Sequence, residues 1–143
     1  MKVLFDTNVV LDVLLDRIPF SEAASQLFAC VEYEKMTGYL CSTTVTTVYY
    51  LAQKGLGASQ AKDEIRKLLH LFSIAPVDRK VLEAAVGNDF SDFEDAVLYE
   101  AARRVGAEAI VTRNEKDFKT SKLTIYSPPD LVDAFSLIAP LDE

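Results

Sequence analysis

The chain has a single histidine, two cysteines, no tryptophan and only five glycines in 143 residues. Each shortage removes a class of chemistry. A zinc site built on several imidazoles is excluded, and a Ser/His or Cys/His nucleophile would have to rest entirely on His70. Cys30 and Cys41 make no CxxC pair. Without a signal-peptide-like start, they are expected to be reduced, buried apolar side chains of a cytoplasmic protein. No apolar run approaches the ~18 residues of a membrane span, and Val9 to Leu15 is broken by Asp12, so no membrane partner is expected. No GxGxxG follows the first apolar run, which argues against a dinucleotide-binding domain. Basic residues are also in deficit, 15 against 22 acidic, for a net charge of -7. That balance argues against a protein that coats nucleic acid through a basic surface. It leaves open an enzyme that reaches phosphates through a few cationic side chains and bound metal ions.

What is present describes one globular domain spanning residues 1–143, since 50% hydrophobic and 26% charged content is ordinary for a folded chain of this length. Val3, Leu4 and Phe5 form an unbroken apolar strand of the kind covered on both faces, ended by Asp6. Thr7 or Asn8 is then expected to cap a helix over Val9 to Leu15. Further helices are expected from Ser21 to about Lys35, from Thr43 or Thr44 to a stop at Gly55, from Ser59, over Val81 to Val86, from Asp92 to Val105, and over Asp130 to Leu137. The β-branched run Thr43 to Val48 favours strand by propensity, and its helical reading rests on the continuation Leu51 to Lys54. Strands are expected at Tyr39 to Ser42, Phe72 to Val77, Ala109 to Thr112 and Leu123 to Tyr126. This alternation predicts an α/β fold with a parallel sheet covered on both faces by right-handed crossovers.

In such a sheet, sites form beyond the carboxyl ends of the strands, and here the residues following strands are mostly acidic. Asp6 follows the first strand. Asn114 and Asp117 follow the fourth, and Asp92 and Asp95 open the helix leading into it. A spacing of three puts the last two carboxylates about 60° apart on one helix. Gathered carboxylates repel unless a hard divalent cation such as Mg²⁺ or Mn²⁺ sits among them, and the chemistry implied is metal-assisted attack of water on a phosphoryl group. Asp92 reads equally as a helix N-cap and Asp117 as a loop residue. Asp6 is harder to assign to structure alone, because a carboxylate between an apolar strand and an apolar helix is expected to be partly buried and to need a partner. No Lys or Arg lies between Lys2 and Arg17 to supply one.

The opening KVLFDTNVVLDVLL and the later block SDFEDAVLYEAARRVGAEAIVTRNEKDF closely resemble the PIN domain, particularly the small prokaryotic ribonucleases that include VapC-type toxins. The resemblance implies a three-layer α/β/α, Rossmann-like fold with about five parallel strands. It also implies a Mg²⁺- or Mn²⁺-dependent endoribonuclease acting on single-stranded RNA and, for many members, an antitoxin partner and pairing as a homodimer. By the same resemblance, Asp6, Asp95 and Asp117 are expected as catalytic metal ligands, with Asp92 as an additional ligand. Asn8, Thr112 and Asn114 would support them. From their place next to the last acidic residues, Arg113, Lys116 and Lys119 could steer the RNA backbone, and each reads equally as part of a solvated charged turn. The family's second acidic residue falls at Thr47, whose hydroxyl supplies no charge, so cation affinity is expected to be weaker unless Asp92 or Glu94 substitutes. Thr47 therefore favours the rival reading, a catalytically weak PIN-like module that binds RNA or protein. A dehalogenase-type phosphatase is disfavoured, because the position two after Asp6 is Asn8. Tyr49, Tyr50 and Tyr99 could stack bases, although at helical spacing aromatics more often belong to the core.

Overall fold

The computed structural model describes residues 1–138, so the last part of the expected domain, 139–143, lies outside the described residues. The chain begins with β1 (Lys2–Phe5), α1 (Thr7–Leu14), α2 (Ser21–Glu32) and β2 (Thr37–Cys41), followed by α3 (Ser42–Leu56), α4 (Ala58–Leu71) and β3 (Ser73–Ala75). It continues through α5 (Arg79–Gly87), α6 (Phe93–Arg104), β4 (Ala109–Val111), a 3-10 turn at Glu115–Phe118, β5 (Thr124–Tyr126) and α7 (Pro128–Ile138). The five strands make one parallel sheet in the order β3-β2-β1-β4-β5.

Period-two alternation explains how so short a sheet supports two cores. Val3 and Phe5 of β1, Leu40 of β2, and Ala109 and Val111 of β4 face the layer that includes α1, α2, Val48 of α3 and Leu68 of α4. Leu4, Cys41, Ala75 and Ile110 point the other way, to α5 and α6. Both cysteines are free and buried as expected, and burial pushes the Cys30 thiol up, which favours the unreactive protonated form.

The structure corrects several expectations. The helix over the β-branched run extends through Gly55 and stops at Gly57, whose φ of 87° suits glycine. Neither Thr43 nor Thr44 caps it, because it already begins at Ser42 after Cys41. Asp6, rather than Thr7 or Asn8, is the N-cap of α1. Along α6 the apolar residues spaced by four, Phe93, Val97, Ala101 and Val105, do not form one fully buried stripe. Val97 and Ala101 are buried, but Phe93 is 52% exposed. The cause is topological: a crossover helix starts at the carboxyl edge of the sheet, so its first turn projects past the strands. Beyond that turn, Ala96 through Ala102 are all buried.

Gly38 lies inside β2. A Cβ there would stand 2.7 Å from the Phe72 ring and 2.9 Å from Val31. Phe72 in turn packs edge-on against Phe5 and Phe28 at 5.0 and 5.1 Å between centroids. Gly38→Ala is therefore expected to cost about 1–3 kcal/mol by overpacking, read as a lower urea midpoint at unchanged slope.

Candidate active site

Every strand of a parallel sheet ends at the edge where the next helix begins, so one rim collects both strand ends and helix N-termini. The strand order reverses between β1 and β4, and Asp6 sits at that crevice. Its backbone N–H donates to Val111 at 3.0 Å, continuing the β1–β4 pairing by one residue. Its side chain is 7% exposed. The carboxylate accepts from Thr7 N–H at 2.7 Å and from the Thr112 hydroxyl at 2.7 Å, and the Asn8 amide lies at the 3.5 Å limit. Burial nevertheless outweighs these hydrogen bonds and raises the Asp6 pKa above the usual carboxylate value, with the charges of Asp117 and Glu94 pushing the same way.

From α6, Asp92 and Asp95 take different roles. Asp92 is the N-cap, its carboxylate accepting from Asp95 N–H at 2.9 Å. Asp95 sits three residues on and, with Glu94, lines the same cavity as Asp6. Its carboxyl is raised to about 7, chiefly by burial and then by the negative charges of Asp6, Asp92, Asp117 and Glu94. From α3, Thr44 reaches across to the Thr7 hydroxyl at 3.0 Å. Thr47 lines the cavity while donating to the Thr43 carbonyl at 3.1 Å. The cavity measures about 280 Å³, and Asn8, Asn114 and Arg17 also line it.

Thus Asp6, Asn8, Thr47, Asp95 and Asn114 are brought together, with Thr112 buried directly behind Asp6. The remaining candidates lie elsewhere. Asp92 caps α6 outside the lining, and Asp117, Lys116 and Lys119 are exposed around a second cavity of about 400 Å³. Asp117 acts on Asp6 and Asp95 through its charge. Among the described residues, no three His, Cys, Asp or Glu side chains are gathered closely enough to form a ready metal-binding group. The donors around the first cavity fit a hard cation in kind, being carboxylate, amide and hydroxyl oxygens.

Arg113 is anchored to a buried acid. Its Nε and a terminal nitrogen grip Asp12 at 2.7 and 3.1 Å, and its guanidinium lies 4.0 Å from the centre of the Phe20 ring. Asp12 is fully buried, has Arg17 3.7 Å away as a second cation, and was missed by sequence reasoning. The available signal was its place inside the apolar run Val9 to Leu15, where a carboxylate requires a distant partner. Of the tyrosines, Tyr99 is buried and accepts from Lys122 N–H, while exposed Tyr50 carries Lys54 over its ring.

The chain matches the PIN domain family over residues 2–116, a span that holds Asp6, Asp92 and Asp95 and ends one residue before Asp117. It is 23% identical to Ribonuclease VapC1 of Aquifex aeolicus over 145 aligned residues, covering 96% of this chain and 97% of that protein. Among solved structures it resembles a toxin-antitoxin complex from Klebsiella pneumoniae, with TM-score 0.67 and 24% identity over 88% of this chain and 97% of that one. It also resembles VapBC2 from Rickettsia felis bound to a promoter DNA fragment, with TM-score 0.66 and 17% identity over 89% and 98%.

The raised carboxyl of Asp95 makes stability depend on pH. Between the ordinary value of 3.8 and about 7, the folded protein holds a proton that the unfolded chain releases, so stability falls as pH rises through that window. In chelator, Asp95→Asn is expected to raise the melting temperature at pH 8 by about 4 °C, to change it little at pH 4, and to flatten the profile between them. Calorimetric scans at the two pH values check this.

Proposed function

Because the chain belongs to the PIN domain family, we propose that it is a divalent-cation-dependent endoribonuclease that cuts single-stranded RNA. It would be the toxin of a toxin-antitoxin pair, acting in the cytoplasm as one PIN unit over residues 1–143. The observation that carries this reading is the meeting of Asp6 and Asp95 with Asn8, Glu94 and Asn114 around one open cavity at the switch point of the sheet. The similarity to a relative named as a ribonuclease supports the reaction class. The similarity to a toxin-antitoxin complex supports an antitoxin partner, and homodimerisation is proposed with it.

Asp6 and Asp95 would hold Mg²⁺ or Mn²⁺, with Glu94 or Asp117 contributing charge. A bound cation supplies Lewis-acid activation of water and neutralises charge on the phosphoryl oxygens. The chain's own residues prepare the cavity. Thr112 and Thr7 fix the orientation of the Asp6 carboxylate, and Asn8 and Asn114 offer amide groups at the rim. Asp92 sets the start of α6 and thereby the direction of Asp95. Lys116 and Lys119 offer cations for the RNA backbone beside Asp117. The resemblance to the PIN family implies that attack by water would leave a 5′-phosphate and a 3′-hydroxyl.

A second reading, a catalytically weak module binding RNA or protein, has one observation in its favour. By the sequence resemblance Thr47 falls where the family's second acid is expected, and its hydroxyl is turned back to the helix carbonyl of Thr43. Of the two residues able to compensate, Glu94 lines the cavity whereas Asp92 does not.

Purified protein with single-stranded RNA and Mn²⁺ is expected to cut it. Chelator should abolish this, and Asp6→Asn should reduce it by about 100-fold or more. Equal cleavage by the protein and its variant would overturn the reading. Thr47→Glu is expected to tighten Mn²⁺ binding about tenfold in calorimetry, equivalent to about 1.4 kcal/mol. Unchanged affinity would mean that position 47 faces away from the cation.

A further inference from the structure

Beside the acidic cavity lies another of different character. It measures about 390 Å³ and is lined by Pro19, Phe20, Ala23, Arg113, Pro128 and Pro129, with Ser127 at its edge. One short loop walls both cavities: Thr112 holds Asp6, Arg113 turns into the apolar cavity, and Asn114 lines the acidic one. Resting on the nuclease reading, we propose that this cavity takes one base of the RNA strand, with Phe20 as the stacking platform and Arg113 as the group that reads the base edge.

The chemistry of the lining separates a base from a phosphate. Arg113 is the one cation in it, and its charge is offset by the bidentate pair with buried Asp12. Pro128 and Pro129 open α7 and bring no N–H donors to its first turn. An anion would find few donors and little net positive charge, whereas a base presents uncharged faces and a polar edge. Phe20 is 41% exposed and carries the Arg113 guanidinium 4.0 Å from its ring centre, so a base lying beside that guanidinium, in its plane, stacks on the open part of the ring with its edge toward Arg113.

The geometry of Arg113 also points to the kind of base. Its side-on edge, Nε with one terminal nitrogen, is taken by Asp12. Its end-on edge, the two terminal nitrogens, has no second acceptor among the described residues. That edge offers the paired donors that match O6 and N7 of guanine. Asp12 therefore holds a guanine-reading fork in place through contacts buried away from the substrate.

A chain without tryptophan allows a direct test. Phe20→Trp introduces a single tryptophan into the cavity, excited at wavelengths the tyrosines do not absorb, and Asp6→Asn in the same protein prevents cleavage. With Mg²⁺ present, a short guanine-containing single-stranded RNA is expected to quench the fluorescence. The same oligonucleotide carrying an abasic site at its guanine should bind about tenfold more weakly. In the otherwise unsubstituted protein, Phe20→Ala should lower kcat/KM about tenfold and blur the preference for cutting beside guanine, and Phe20→Tyr should restore both. Equal quenching by the two oligonucleotides, or quenching by a protein partner and not by RNA, would overturn the proposal. So would an unchanged cleavage pattern in Phe20→Ala. Absence of metal-dependent cleavage by the unsubstituted protein would overturn the nuclease reading instead, because the fluorescence titration needs no cleavage.

Discussion

The hydrogen bond from Thr112 to the Asp6 carboxylate spans the one crevice in the sheet where the strand order reverses. Taking a carboxylate out of water costs several kcal/mol, and hydrogen bonds to a charged group return about 1.5–3 kcal/mol each. Asp6 obtains two good ones, from Thr7 at the start of α1 and from Thr112 at the end of β4. They do not fully offset its burial, as the upward shift of its pKa shows. The sheet edge therefore presents a fixed oxygen acceptor with unmet demand for positive charge. Other parts of the edge serve the same end: Thr44 ties α3 to Thr7, and Ser42 accepts from Val77 N–H beyond β3.

The second constraint is the Asp12 ion pair, which joins residues separated by 101 positions in sequence. Removing either partner of such a buried pair leaves an uncompensated charge, so the two are coupled to the fold as well as to each other. Arg113 follows Thr112 directly. Its grip on Asp12 therefore also fixes the loop on which the Asp6 hydrogen bond depends, and its backbone N–H reaches Asn8 at 3.4 Å. With the Asn114 N–H donating to the Thr112 hydroxyl at 3.0 Å, the loop is held at three successive residues and separates two cavities of opposite chemistry.

The layered α/β architecture was legible because unbroken apolar strands and amphipathic helices alternate along the chain, and Asp6 stood out at the junction of the first pair. Asp95 was legible only as one of two. Three residues apart on a helix, Asp92 and Asp95 look alike, and the start of the helix decides that the first satisfies backbone donors while the second faces the cavity. Arg113 appeared as a free basic residue because the acid it serves lies near the other end of the chain. Asp12 was hidden for the same reason. Helix ends shifted by a few residues, as at Gly55, which packs closely on Leu15 inside a helix that runs on to Leu56.

The acidic cavity is thus a place where the fold is held against its own electrostatics. Burial first, and then the negative charges of four neighbouring carboxylates, raise the Asp95 carboxyl to about 7. Arg17 lines the same cavity, but its guanidinium is directed to Asp12 rather than to Asp95. A site meant only for stability would have placed a cationic side chain among these acids, as the chain does around Asp12. Leaving them uncompensated at an open cavity makes sense where an external cation is to supply the missing charge, and substitutions that relieve the repulsion should then stabilise the protein while weakening its chemistry.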